Sequence, residues 1–161
     1  MSNLVVMAFD NEYGAEQVRD KLVDLQKAQL IKIDDACVVV RKQDGKVKVK
    51  QAANLAGAGA LGGAFWGMLI GMLFFVPFAG MAIGAAIGGL SGAMSDYGID
   101  DTFIKEVGNS IQPGTSAIFV LVREATPDKV IEQLKPYHGK IIHTSLSAEN
   151  EAQLKAAFAA E

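Results

Sequence analysis

Two strand–helix–strand runs, one towards each end of the 161-residue chain, predict a mixed α+β fold. An uncharged, glycine-rich block between them predicts an inserted helical hairpin. The first run is carried by LVVMAF, EYGAEQVRDKLVDLQKAQL and ACVVVRK, and the second by AIFVLVR, PDKVIEQLKPY and KIIHTS. The block, residues 51–95, contains no charged side chain and holds eleven of the seventeen glycines.

Residues 3–9 read as a strand because β-favouring side chains run unbroken to the turn pair Asp10–Asn11, either of which can cap the helix that follows. In that helix Val18, Leu22, Leu25 and Leu30 recur at near-helical spacing with charges on the other side. Residues 36–42 form the next strand, and Asp44–Gly45 turns the chain into the alternating KVKVK. Lysines at positions 46, 48 and 50 suit an edge that resists pairing, or a surface near anionic headgroups. Residues 101–111 give a short helix with Phe103, Ile104, Val107 and Ile111 on one side. Residues 117–123 give a strand; Thr126 and Pro127 open a helix with Val130, Ile131 and Leu134 as its buried stripe; residues 140–145 return as a strand. Ser147 caps a final helix anchored by Leu154 and Phe158.

Two such units joined by right-handed crossovers make a ferredoxin-like (split βαβ) sheet of four strands, with helices on one face and KVKVK as an added strand. The domain layout is therefore 1–50 for the first half of the sheet, 51–96 for the hairpin, 97–146 for a short helix and the second half, and 147–161 for the terminal helix.

Within the block, Gly59, Gly63, Gly67 and Gly71 fall four apart, and so do Gly80, Gly84, Gly88 and Gly92. Residues four apart share a helix face, so each segment carries a smooth groove where backbones can approach closely. Pro77 marks the hairpin turn. Phe65, Trp66, Phe74, Phe75 and Phe78 lie off the glycine rows and are expected to face lipid or a partner. Residues 55–76 are long enough as a helix to cross about 30 Å of hydrocarbon. Both flanking halves belong to one sheet and so lie on one side of any membrane. The turn carries no polar anchor, which leaves a shallow or re-entrant hairpin open beside a spanning one.

The stretches LVVMAFDNEYGAEQV, GGAFWGMLIGMLFFVPFAG and DYGIDDTFIKEVGNSIQPGTSAIFVLV together resemble the bacterial family catalogued as domain of unknown function 1269. YGIDD after the zipper and PGTSAIFVLV after a short helix carry the resemblance most strongly, and it extends over nearly the whole chain. It implies membrane association and supplies no activity or catalytic residue.

Chemistry is not evident. Net charge is -3, which gives no basis for nucleic-acid binding. The one cysteine, Cys37, reads as a small buried hydrophobe on a strand. His138 and His143 lack the further ligands of a metal site. GAGALGG lacks the preceding strand and following acid of a dinucleotide loop. Asp34–Asp35 and Asp100–Asp101 read as caps or turns. Neither a cofactor nor a metal is expected. The N-terminus shows no basic leader with an apolar core, so the cytoplasmic side is the expected compartment. The function expected is that of a non-enzymatic, membrane-associated homo-oligomer assembled through its glycine faces, with both termini cytoplasmic. The alternatives are a soluble oligomer that buries the hairpin and binds a small ligand or regulator, and a pore-forming or membrane-remodelling assembly.

Overall fold

The computed structural model describes residues 3–52, 66, 69–71, 73–74, 101–125, 127–137 and 139–144. The second glycine run, the hairpin turn and the predicted C-terminal helix lie outside them. Five strands form one antiparallel sheet: β1 (Asn3–Phe9), β2 (Ile31–Arg41), β3 (Val47–Gln51), β4 (Thr115–Ala125) and β5 (Lys140–Thr144). Their order across the sheet is β3-β2-β4-β1-β5. The helices are α1 (Gly14–Lys27), α2 (Asp101–Ser110) and α3 (Pro127–Leu134), the last continued by a 3-10 turn (Lys135–Tyr137). The protein is therefore a mixed α+β molecule in which β4 sits between β1 and β2, so strands from the two ends of the chain interleave.

Local chemistry starts and stops α1. The N-cap position is Tyr13, which makes no side-chain cap bond, so neither Asp10 nor Asn11 is the cap. The Asn11 side chain instead accepts the backbone N–H groups of Tyr13 and Gly14 at 2.9 and 2.6 Å in the turn that leads into the helix. Ser116 Oγ on β4 accepts the next N–H, from Ala15, and donates to the Asn11 carbonyl. The C-terminus closes with Leu30 N–H on the Leu25 carbonyl and Gln29 N–H on the Gln26 carbonyl, with Gln29 left-handed at φ 62°. Gly14 lies so close to β1 that a Cβ there would meet Phe9 Cβ at 2.5 Å.

Both faces of the sheet are covered, where the sequence suggested helices on one face only. On one side Met7, Phe9, Val38, Val40, Ile118 and Val120 pack under α1 and α3, through Val18, Leu22, Leu25, Val130 and Leu134. On the other, Leu4, Val6, Cys37, Val39, Phe119 and Leu121 pack under α2 and a helical stretch within 66–74. This is why ACVVV and AIFVL read as continuous apolar runs: strands buried on both faces have no polar alternation to show.

Candidate functional site

On the second face the described helical residues of the glycine-rich block meet the sheet. Trp66, 69–71 and 73–74 are helical. Trp66, Leu69, Ile70 and Leu73, spaced as one helix stripe, are buried against the sheet. The Trp66 ring is 1 % exposed and stands edge-on to Phe119 at 6.3 Å between centroids, tilted 70°. Its indole Nε1–H donates to Asp35 Oδ2 at 2.9 Å, while Asp35 Oδ1 accepts the Ala36 N–H at 2.9 Å. Asp35 itself is 0 % exposed.

A strand irregularity aims Asp35 at this face. Between β2 and β4 the register shifts at Lys32/Ile33 and again at Ile33/Asp35. Ile31 and Ile33 belong to the α1-side core, and beyond the shift Ala36, Val38 and Val40 take that side. Side-chain direction alternates along a strand, so the extra residue flips parity and puts Asp35 with Cys37 and Val39 on the Trp66 side. The residue in the irregularity, Asp34, is held by Arg123, with Nε 3.0 Å from Oδ1. The Asp34–Asp35 pair is thus neither a cap nor a turn, as the sequence suggested, but a break in register with a separate partner for each carboxyl.

At the far end of β2, Arg41 serves the same face. Its guanidinium lies 5.3 Å from the centre of the Phe74 ring and donates to the Ile111 carbonyl just beyond α2 at 2.8 Å, where a cation complements the helix dipole. Arg41 Nε is buried and has no hydrogen-bond partner among the described residues. The helical stretch approaches α2 closely as well: a Cβ at Gly108 would stand 2.8 Å from the Leu73 carbonyl oxygen. One strand therefore holds both aromatic ends of the stretch, Trp66 through a carboxyl and Phe74 through a guanidinium.

The family model described as Protein of unknown function (DUF1269) matches residues 60–159, more than half of the chain. The chain belongs to this family. No curated protein and no solved structure matches it. In this DUF1269 member the matched span includes Trp66, β4 and β5, whereas Asp35 and the strands that flank β4 include residues before it. β4 makes its ladders with β1 and β2, so the matched span needs the first fifty residues to complete its sheet.

The structure corrects the placing of Trp66, expected towards lipid or a partner: its own sheet covers it. Phe74 is partly buried under Arg41. The sequence missed the reason because Asp35 is legible only as a polar residue beside an apolar run, which is the signal that should have marked it. Of the predicted glycine row, Gly71 is described, and a Cβ there would meet no described atom within 4 Å. Gly59, Gly63, Gly67, Gly80, Gly84, Gly88, Gly92, Pro77, Phe65, Phe75 and Phe78 lie outside the described residues.

Among the described residues no helix is long and apolar enough to cross a membrane, and no group of three or more His, Cys, Asp or Glu side chains could hold a metal ion. Burial, and then the nearby Asp35, push the Cys37 thiol up to about 12, so it stays protonated and unreactive at neutral pH. Two open surface clefts of about 630 Å³ flank α1: one lies by Gln26, Gln29 and Glu124, the other by Asp10, Gln17 and Tyr137. Neither includes the Trp66–Asp35 pair.

Proposed function

We propose that this protein is a non-enzymatic homo-oligomer that works at a membrane surface, with a ferredoxin-like domain on the cytoplasmic side and a glycine-rich block that packs against the blocks of neighbouring copies. The strand order supports the domain assignment. Leaving out the edge strand β3, the sheet runs β5-β1-β4-β2, and each strand–helix–strand unit is split by a strand of the other, as a split βαβ plan requires.

The observation that carries the reading is how the block is held. It has no charge over 45 residues (51–95), its Trp66 stripe is fixed to the protomer's own sheet, and Gly71 presents no side chain on another side of that stretch. A backbone row without side chains gains little inside one protomer and much from another helix laid against it.

Docking also limits how the block meets lipid. If 66–74 stays on the sheet, residues 55–65 supply at most about 16 Å of helix at 1.5 Å per residue, half of the roughly 30 Å hydrocarbon core. In the proposed arrangement the first segment would then be too short to span the bilayer, and the block would meet lipid shallowly. The covered Trp66 stripe equally favours a second reading, a soluble oligomer whose blocks are buried between copies.

Fractionation of untagged protein with and without mild detergent, followed by sizing, separates the two. Recovery with membranes, and extraction as one homogeneous oligomer that shrinks in Gly67→Leu and Gly84→Leu, is the expected result. A large homogeneous particle without detergent favours the soluble assembly. A monomer in both conditions overturns self-association.

A further inference from the structure

The edge strand β3 carries a cationic row whose direction the register fixes. Lys48 lies opposite Val40 and Lys50 opposite Val38, and both valines belong to the α1-side core, so the lysines stand on the α1 side of the sheet edge. Val47 and Val49 point to the other side, with Val49 40 % exposed. Lys50 Nζ is 2.9 Å from Glu16 on α1, while Lys42, Lys46 and Lys48 are exposed. Asp44 in the turn accepts the Lys46 backbone N–H. Four lysines against two carboxyls leave this edge at +2, on a chain whose net charge is -3.

We propose that this strand edge docks anionic lipid headgroups, an inference that rests on the membrane-surface reading above. Charge complementarity is the first argument. Continuity is the second: β3 ends at Gln51, where the uncharged stretch 51–95 begins, so the lysines immediately precede the apolar block along the chain. The third comes from length, because a block that enters lipid shallowly is weakly anchored and gains a firm hold from a polybasic neighbour. A second copy fits this edge badly: in the registers that keep the faces of the sheet continuous, antiparallel pairing of β3 with itself sets lysine against lysine, and like charges directly opposite are destabilising.

The test is flotation of the full-length protein with vesicles of phosphatidylcholine alone and of phosphatidylcholine with phosphatidylglycerol. Wild type is expected to bind the anionic vesicles more tightly, in a salt-sensitive way. The double variant Lys46→Gln, Lys48→Gln should lose about 25-fold in affinity for anionic vesicles, about fivefold per lysine, with neutral-vesicle binding unchanged. The double variant Lys32→Gln, Lys129→Gln removes the same charge from exposed positions elsewhere and should bind as wild type does; unchanged thermal unfolding establishes that all variants are folded. Equal loss in both double variants, or equal binding of wild type to both vesicles, overturns the headgroup site. So does a β3 variant that keeps its affinity but forms larger species in solution, since the lysines then serve only to protect the edge. If wild type floats with neither vesicle, the membrane-surface reading falls as well.

Discussion

Replacing Trp66 by Phe removes one hydrogen-bond donor and part of one ring from a site that is closed to water. The Asp35 oxygen that accepts the indole N–H at 2.9 Å belongs to a fully buried residue, so water cannot take over the bond. Losing that partner costs about 1–3 kcal/mol. The smaller ring leaves roughly 35 Å³ unfilled beside Phe119, which adds about 0.8 kcal/mol at about 24 cal/mol per Å³. The total, about 2–4 kcal/mol, corresponds to a fall in Tm of about 5–15 °C for a chain of this size. Urea unfolding followed by far-UV circular dichroism measures it, and a cycle with Asp35→Ala should return a coupling energy of about 1–3 kcal/mol. Because Trp66 is the chain's one tryptophan, wild-type fluorescence gives a second readout: a blue-shifted emission that a soluble quencher barely reaches. A loss of less than about 0.5 kcal/mol, the range of ordinary surface substitutions, together with ready quenching, would refute the docked arrangement and return Trp66 to an outward-facing role.

Gly108→Ala tests the same contact from α2. In an exposed helix interior this change stabilises by about 1 kcal/mol, but here the new Cβ would stand 2.8 Å from the Leu73 carbonyl, so the sign should reverse to a loss of about 1–3 kcal/mol in thermal or urea unfolding. A hydrogen bond from Lys50 holds Glu16 below the usual carboxylate range despite the opposing effect of its burial. Its contribution is therefore present above the unfolded carboxyl value and is lost as pH falls through the folded one. Lys50→Met should cost at most about 1 kcal/mol at neutral pH, with the difference from wild type vanishing in acid when stability is followed against pH. Cys37, buried with its thiol pushed up to about 12, should resist a thiol reagent at mildly alkaline pH in the native protein and react at once in denaturant; labelling of the native protein would mean that the covered face opens.

The elements themselves were legible because each is written locally. The strand at 3–9 ends at a turn pair, α1 shows its buried stripe at Val18, Leu22 and Leu25, and Asp44–Gly45 announces the hairpin, with Gly45 at φ 88°. Strand ends were less legible. The sequence starts β2 at residue 36, whereas it begins at Ile31, because two aspartates disfavour a strand on propensity alone. Tertiary pairing overrides that: Asp34 finds Arg123 on β4, and Asp35 finds the Trp66 indole, 31 residues further along the chain.

By itself, then, the sequence determined the class of fold, the α1 core stripe and the unusual composition of 51–95, since all three depend on residue type and short-range period. Which way that composition faces was decided only by the tertiary structure. Periodicity defines the faces of a helix but not what covers each one. Here a register shift in β2 turned one carboxyl towards the second face of the sheet, and the only tryptophan followed it inward.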